Sequence, residues 1–206
     1  MKKMSLTDIQ KISLDILKDV HCFCENNNIN YSLAYGTLIG AVRHKGFIPW
    51  DDDIDIIMPR PDFERFCKSY HSSKYKKSNP DKGYTMFARV YDDTLTYVEQ
   101  KELLWAPFDT GVWIDVFPID SVADNKEEFI KTGEKILKLW KLEFIKRSTF
   151  VPLQKKNLQK KIKSIIKTIF FPIPISSILK KHRKLMSKYK YGTTNHCSQL
   201  CCADNI

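Results

Sequence analysis

Four aspartates fall in five positions, Asp51-Asp52-Asp53-Ile54-Asp55, and run straight into the apolar stretch Ile56-Ile57-Met58. Side chains on a strand alternate between its two faces. Read as a strand from Asp51, the segment puts Asp51, Asp53 and Asp55 on one face and Asp52, Ile54, Ile56 and Met58 on the other. Three like charges on one strand face repel and lower β-propensity, so folding alone gives no reason for them. A divalent cation does, because Mg²⁺ takes carboxylate oxygens and keeps positions open for substrate phosphates. The competing reading is a solvated acidic turn. The apolar strand behind the acids and the Gly-Thr turn ahead of them favour the metal.

That turn follows Tyr31–Tyr35 (YSLAY), a short β-prone run ending at Gly36. Leu38, Ile39 and Val42 then recur at helical spacing, so Gly36 and Thr37 mark the handover from strand to helix. Amides at a helix start can hold a phosphate, and glycine lets it approach. A second informative strand is Gly111–Asp120, with Val112, Ile114 and Val116 on one face and Trp113, Asp115 and Phe117 on the other. A lone Asp among such neighbours is costly unless paired or metal-bound. Asp120 and Asp124 read as turn or N-cap residues.

Elsewhere, Thr7 to Gln10 has the pattern of a capping box, ahead of a helix with Ile9, Ile12, Ile16, Val20 and Phe23 on one face. Cys22 and Cys24, in its last turn, read as buried small residues. Pro61 opens a helix carrying Phe63, Phe66, Cys67 and Tyr70, and residues 74–83 read as a loop. Tyr84–Tyr91 and Thr94–Val98 suggest a hairpin. Arg89 within it is either an outward strand residue or a cation aimed at phosphate. A helix from Glu127 to Arg147 places Ile130, Ile136, Leu137, Trp140 and Phe144 towards a core. A basic amphipathic segment follows over 155–171, and a last basic helix spans Ser176–Lys190.

The stretch Gly36–His44, Gly46–Trp50, Asp51–Ile56 and Met58-Pro59-Arg60 resembles the hallmark of the LicD family, the phosphocholine transferases and fukutin-related proteins. The likeness is long and gap-free. It implies an α/β nucleotidyltransferase-like fold, a mixed β-sheet flanked by helices, with a basic helical C-terminal part. It also implies metal-dependent transfer of a phospho-substituent from a nucleotide-activated donor such as CDP-choline. On that resemblance Asp53, Asp55 and Asp115 hold Mg²⁺ or Mn²⁺ and carry catalysis, with Asp51 as a further partner. Gly36, Thr37, Arg43 and Arg89 bind donor phosphate. Trp50 either offers a π-face to a quaternary ammonium or packs as a loop anchor against Pro49. The acceptor is a hydroxyl of a cell-surface glycan or its lipid-linked precursor, as in lipopolysaccharide or teichoic acid. Rival readings keep the site but move another phospho-alditol, a nucleotidyl group or a sugar, or leave an inactive binding module.

Charge divides the chain. Residues 126–190 carry 19 Lys/Arg and four Asp/Glu within a net charge of +10, which leaves the rest mildly acidic. The expected organisation is a catalytic core over 1–124, a basic helical region over 125–190 packed on it, and a divergent or truncated tail over 191–206, where the resemblance ends. The basic segment either packs a core stripe or lies on an anionic membrane surface. Nucleic acid is not expected, since no aromatics interleave the lysines as stacking platforms. Neither a signal peptide nor a clean membrane span is evident, so the expected location is cytoplasmic, with or without peripheral contact at the inner membrane face. The six cysteines are expected to be reduced. His196, Cys197, Cys201 and Cys202 match no zinc-finger spacing and read as bystanders.

Overall fold

A computed structural model describes residues 4–78, 80, 86–94, 96, 111–147 and 174–201. In chain order these form α1 (Leu6–Asn26), β1 (Ser32–Leu33), α2 (Tyr35–His44), β2 (Asp55–Pro59), α3 (Arg60–Ser69), β3 (Lys76–Lys77), β4 (Ala88–Tyr91), β5 (Trp113–Val122), α4 (Lys126–Arg147), α5 (Ile175–Met186) and β6 (His196–Ser198). The strands make a mixed sheet in the order β1-β2-β5-β4-β3, with β6 paired to β5. β2 and β5 run parallel, and the other pairings are antiparallel. This is the α/β architecture expected from the sequence, a mixed sheet flanked by helices.

β5 is the spine of the sheet. Residues Trp113–Val116 pair with β4, Asp115–Ile119 pair with β2, and Asp120–Val122 take β6. The alternation read from the sequence holds along it. Ile56, Met58, Ala88, Val90, Ile114 and Val116 are wholly buried and pack with Ile16, Val20 and Cys24 of α1 and Phe63 and Phe66 of α3. A second apolar cluster joins Phe117 and Val122 of β5 to Ile136 of α4, Leu179 and Met186 of α5, and Leu200. His182 and Glu143 clamp that cluster. The imidazole Nδ1 lies 2.8 Å from Glu143 Oε1, and Nε2 lies 3.2 Å from the Leu200 carbonyl oxygen.

Several expectations give way here. The capping box starts at Ser5, whose hydroxyl accepts from the Asp8 amide while Asp8 accepts from the Ser5 amide, each at 3.2 Å. A carboxylate at that position also suits the positive end of the helix. Asp120 is no turn residue. It lies within β5, 1% exposed, and accepts from Arg60 Nε and Nη2 at 2.6 and 2.7 Å. A buried carboxylate needs such a forked partner, and Arg60 supplies it from 60 residues away. Asp124 accepts from Asn195 and contacts His196, while Asn125 takes the capping position at the Glu128 amide. Ile130 is 46% exposed, so only part of the α4 stripe faces the core. The polar run after α3 contains β3, and β4 pairs with β3 and β5. Cys22 is exposed and Cys24 buried. The segment over 155–171, the run 97–110 and Cys202 lie outside the described residues.

Gly40 has a packing role that the motif alone conceals. A Cβ there would sit 2.6 Å from the Gly46 carbonyl oxygen and 2.9 Å from the Ile48 amide nitrogen. The loop carrying Ile48 to the acidic run therefore rests on bare helix backbone. Gly40→Ala is expected to lower stability by about 1–3 kcal/mol, the usual cost of overpacking. Urea unfolding of the two proteins measures the difference.

Candidate active site

β2 begins only at Asp55, so strand alternation places Asp55 but not Asp51 or Asp53. Asp55 is the direct partner of Asp115 across the parallel β2–β5 pair. Asp115 is in turn the direct partner of Arg89 across β4–β5. Two carboxylates and a guanidinium thus form one row across three adjacent strands, on the face opposite the Ile56–Val116 core. Neighbouring strands lie about 4.8 Å apart.

The remaining acids arrive on the segment before β2. The Asp51 amide donates to the Ile48 carbonyl at 3.0 Å, and Gln10 of α1 donates to the Asp51 carbonyl at 2.8 Å. Asp51, Asp52 and Asp53 each offer a carboxylate oxygen within 4.8 Å of the others. Asp52 therefore joins the group, where an extended strand through 51–54 would have turned it away. The Asp51 carboxylate lies over Gly36, where a Cβ would stand 2.6 Å from its Oδ2. Any side chain at that position would displace the acid.

Gly36 and Thr37 lie in the first turn of α2, as the sequence predicts. The Thr37 hydroxyl accepts from the Asp55 amide at 2.9 Å, and the Ala34 amide donates to the Asp55 carbonyl at 3.0 Å. Helix start and first strand residue are thereby pinned together. Tyr35, at the junction, has φ +47°, in the left-handed region that non-glycine residues enter only at a cost.

Electrostatics record the crowding. Burial first, then Asp53, Asp115 and Asp51, push Asp55 up to about 7 against the pull of Arg89. Burial, with Asp51 and more weakly Asp52 and Asp115, pushes Asp53 up to about 6. Asp115 is raised by burial, which outweighs Arg89 and Trp113. Asp55 and Asp115 thus adjoin the Asp51–Asp53 group closely enough for Asp53 to raise Asp55 and for Asp115 to raise both, and all of these acids are oxygen donors of the kind Mg²⁺ or Mn²⁺ takes.

Arg89 Nε donates to Asp115 Oδ1 at 2.7 Å, and its guanidinium carbon lies 4.7 Å from the Trp113 ring centre and 5.4 Å from that of Phe87. The outward-facing alternative for Arg89 fails, and its nearest anion is a protein carboxylate. Trp113 Nε1 donates to Asp115 Oδ2 at 3.3 Å. Trp113 is a site residue that no motif announces, although alternation along β5 sets it on the Asp115 face. Trp50, 78% exposed, is no packed loop anchor and stands beside Asp51. Arg43 lies in the last turn of α2, roughly 10 Å of helix rise from Gly36, away from the carboxylate row. Cys197 is exposed and Cys201 buried, and among the described residues Asp51, Asp52 and Asp53 are the one set of His, Cys or acid side chains whose ligand atoms all lie within 4.8 Å of one another. Asp55 and Asp115, expected from the sequence to share a metal with Asp53, lie beside that set rather than in it.

The site is thus built on a mixed α/β sheet that sets two strand carboxylates side by side next to an acidic loop and a helix start. Residues 28–161 match the family described as LicD/FKTN/FKRP, nucleotidyltransferase domain, and the chain belongs to that family. It is 45% identical over 89 residues to the lipopolysaccharide cholinephosphotransferase LicD of Haemophilus influenzae, covering 43% of this chain and 34% of that protein. It is 46% identical over 130 residues to an uncharacterised protein of Rickettsia typhi, covering 61% of this chain and 40% of the relative. An uncharacterised protein of Rickettsia prowazekii is 47% identical over 57 residues, 27% of this chain and 21% of the relative. The chain thus spans well under half the length of these curated relatives. No solved structure matches it significantly.

Proposed function

We propose that the chain carries the catalytic centre of a transferase that moves phosphocholine from CDP-choline to a hydroxyl of a cell-surface glycan or its lipid-linked precursor. The observation that carries the reading is the Asp55–Asp115–Arg89 row beside the Asp51–Asp53 acids. The likeness to a cholinephosphotransferase supports the cargo. Asp53, Asp55 and Asp115 are the residues that would hold Mg²⁺ or Mn²⁺, with Asp51 beside them. The bound cation would neutralise donor phosphate charge and lower the pKa of the acceptor hydroxyl.

The protein's own groups do the rest. Arg89 and Trp113 each take one oxygen of Asp115, which fixes the carboxylate's direction and leaves lone pairs for a ligand. Thr37 holds Asp55 in register with α2, whose first-turn amides would favour an anionic phosphate. Trp50 offers an exposed ring to the choline ammonium. In the transfer, the acceptor oxygen forms a bond to the choline-bearing phosphorus. The bond from that phosphorus to the CMP oxygen breaks, CMP leaves with the electron pair, and the acceptor proton passes to solvent or a site carboxylate.

Incubation with CDP-choline, Mg²⁺ and a glycan acceptor should release CMP and place phosphocholine on the acceptor. No release from CDP-linked donors would defeat the proposal. Pyrophosphate released from a nucleoside triphosphate would instead establish nucleotidyl transfer, and release of a nucleoside diphosphate would mean glycosyl transfer.

A further inference from the structure

The outer face of α2 breaks the ordinary rule for an amphipathic helix. Tyr35, Leu38, Ile39 and Val42 recur at the spacing of a core-facing stripe, yet they are 42%, 44%, 47% and 64% exposed, with the Tyr35 ring at the start of the stripe meeting Phe117 edge-on at 6.2 Å between centroids. The inward side is occupied by Thr37, which holds Asp55, and Gly40, which receives the loop at Gly46–Ile48. α2 carries no acidic residue and ends in Arg43 and His44, with Lys45 next, all three exposed. Four apolar side chains exposed together on one helix face, rather than scattered singly, raise the question of what covers them.

We propose that this face of α2 docks on an anionic phospholipid surface, with the apolar stripe entering the boundary between headgroups and acyl chains. Two observations select that occupant. The first is charge complementarity. Arg43 and Lys45 flank the stripe and can reach lipid phosphates while their stems lie along apolar surface. The acids sit at the opposite end of the helix, against Gly36, so the basic end approaches the membrane first.

The second is area. A ten-residue helix is about 15 Å long, and a face about 10 Å wide presents roughly 150 Å². A stable pair of protein copies needs about 800 Å² from each partner, several times what the stripe offers. A bilayer sets no such threshold, because attraction of Arg43 and Lys45 to anionic headgroups adds to the stripe's contribution. The inference deepens the proposed function, since a lipid-linked acceptor would be held beside the helix whose first turn adjoins the acids. Its test, however, reads binding and not turnover.

The experiment is co-sedimentation of the full chain with vesicles of phosphatidylcholine alone and of phosphatidylcholine mixed with phosphatidylglycerol, at low and high salt. Binding is expected only to the anionic vesicles and should weaken as salt screens the charge. Arg43→Gln with Lys45→Gln should weaken it roughly thirtyfold, at about fivefold per charge. Leu38→Ser, Ile39→Ser and Val42→Ser together should weaken it by about tenfold or more through lost apolar burial. All five residues are exposed, so both variants should melt at the wild-type temperature.

Equal binding to both kinds of vesicle, or no binding, overturns the proposal. So does binding that ignores the α2 variants and disappears when Lys160, Lys161 and Lys163 are neutralised. A melting temperature lowered by several degrees in the triple variant would show the stripe packed against the chain itself and overturn it equally. A dimer dissolved by the triple variant would assign the face to a second copy. Absent CMP release with intact α2-dependent vesicle binding would refute the reaction and leave this inference standing.

Discussion

Replacing Asp55 or Asp115 singly with Asn is expected to lower turnover by about 10³-fold or more while the protein stays folded. Each change removes an oxygen donor from the row, and losses of this size accompany removal of a group that stabilises transition-state charge. The packing should survive because Asn is isosteric and the larger apolar cluster, with Ile56, Ile114 and Val116, lies on the opposite face of the sheet. Asp115→Asn also removes the counter-ion of Arg89, so its melting temperature should fall further than that of Asp55→Asn. Asp120→Asn supplies the contrast. It disturbs a buried pair with Arg60 at the far end of β5 and should cost stability while sparing turnover per folded molecule. The comparison rests on steady-state CMP release, with circular dichroism confirming the fold. Full activity in Asp55→Asn would remove the carboxylate row from the mechanism.

The same crowding predicts how metal-free stability depends on pH. An unfolded aspartate titrates near 3.9, whereas the fold holds Asp53 at about 6 and Asp55 at about 7. Between those values the folded state binds protons that the unfolded state has released, so stability falls as pH rises through the window. Asp115 acts in the same direction. The contribution of these acids is complete below about pH 4 and lost by about pH 8. For Asp55 the full shift corresponds to about 4 kcal/mol. Solvent screening at a half-buried site reduces the expected effect to about 2 kcal/mol, roughly 5 °C in melting temperature for a chain of this size.

Melts in chelator across that range should show a fall that is blunted in Asp55→Asn, because the amide neither titrates nor repels. Mg²⁺ added at pH 8 should recover much of the lost stability by binding the ionised acids. Stability that rises with pH in wild type relative to Asp55→Asn, or a wild type indifferent to Mg²⁺, would contradict this.

Much of the site is legible in the sequence, for identifiable reasons. Asp115 stood out because a charge between Ile114 and Val116 has no packing purpose, and alternation already set it with Trp113 and Phe117. Gly36 and Thr37 were legible because a β-prone run ended where helical spacing began. What escaped depends on partners distant in sequence. Asp120 looked like a turn residue because nothing near it in the chain announces Arg60. The acids at 51–53 looked like strand residues because a period of two continues through them. In the structure they belong to a loop shaped by Gly40 and Gln10, and so Asp52 enters the group. α2 misled in the other direction, since its stripe has core spacing and faces outward. β6 escaped as well. Its short polar sequence is drawn into the sheet by the free end of β5, which propensity does not encode.

We propose that Asp53, Asp55 and Asp115, with Asp51 beside them, share one cation although 60 residues separate Asp55 from Asp115. Titration with Mn²⁺, followed by the loss of the free-ion paramagnetic resonance signal, tests it without need of donor or acceptor. Wild type should bind Mn²⁺ in competition with Mg²⁺, and Asp55→Asn and Asp115→Asn should each weaken binding by about tenfold or more, the scale of one lost donor at a carboxylate site. Mn²⁺ binding unchanged in Asp115→Asn would show that the acids on β2 and β5 do not share a metal.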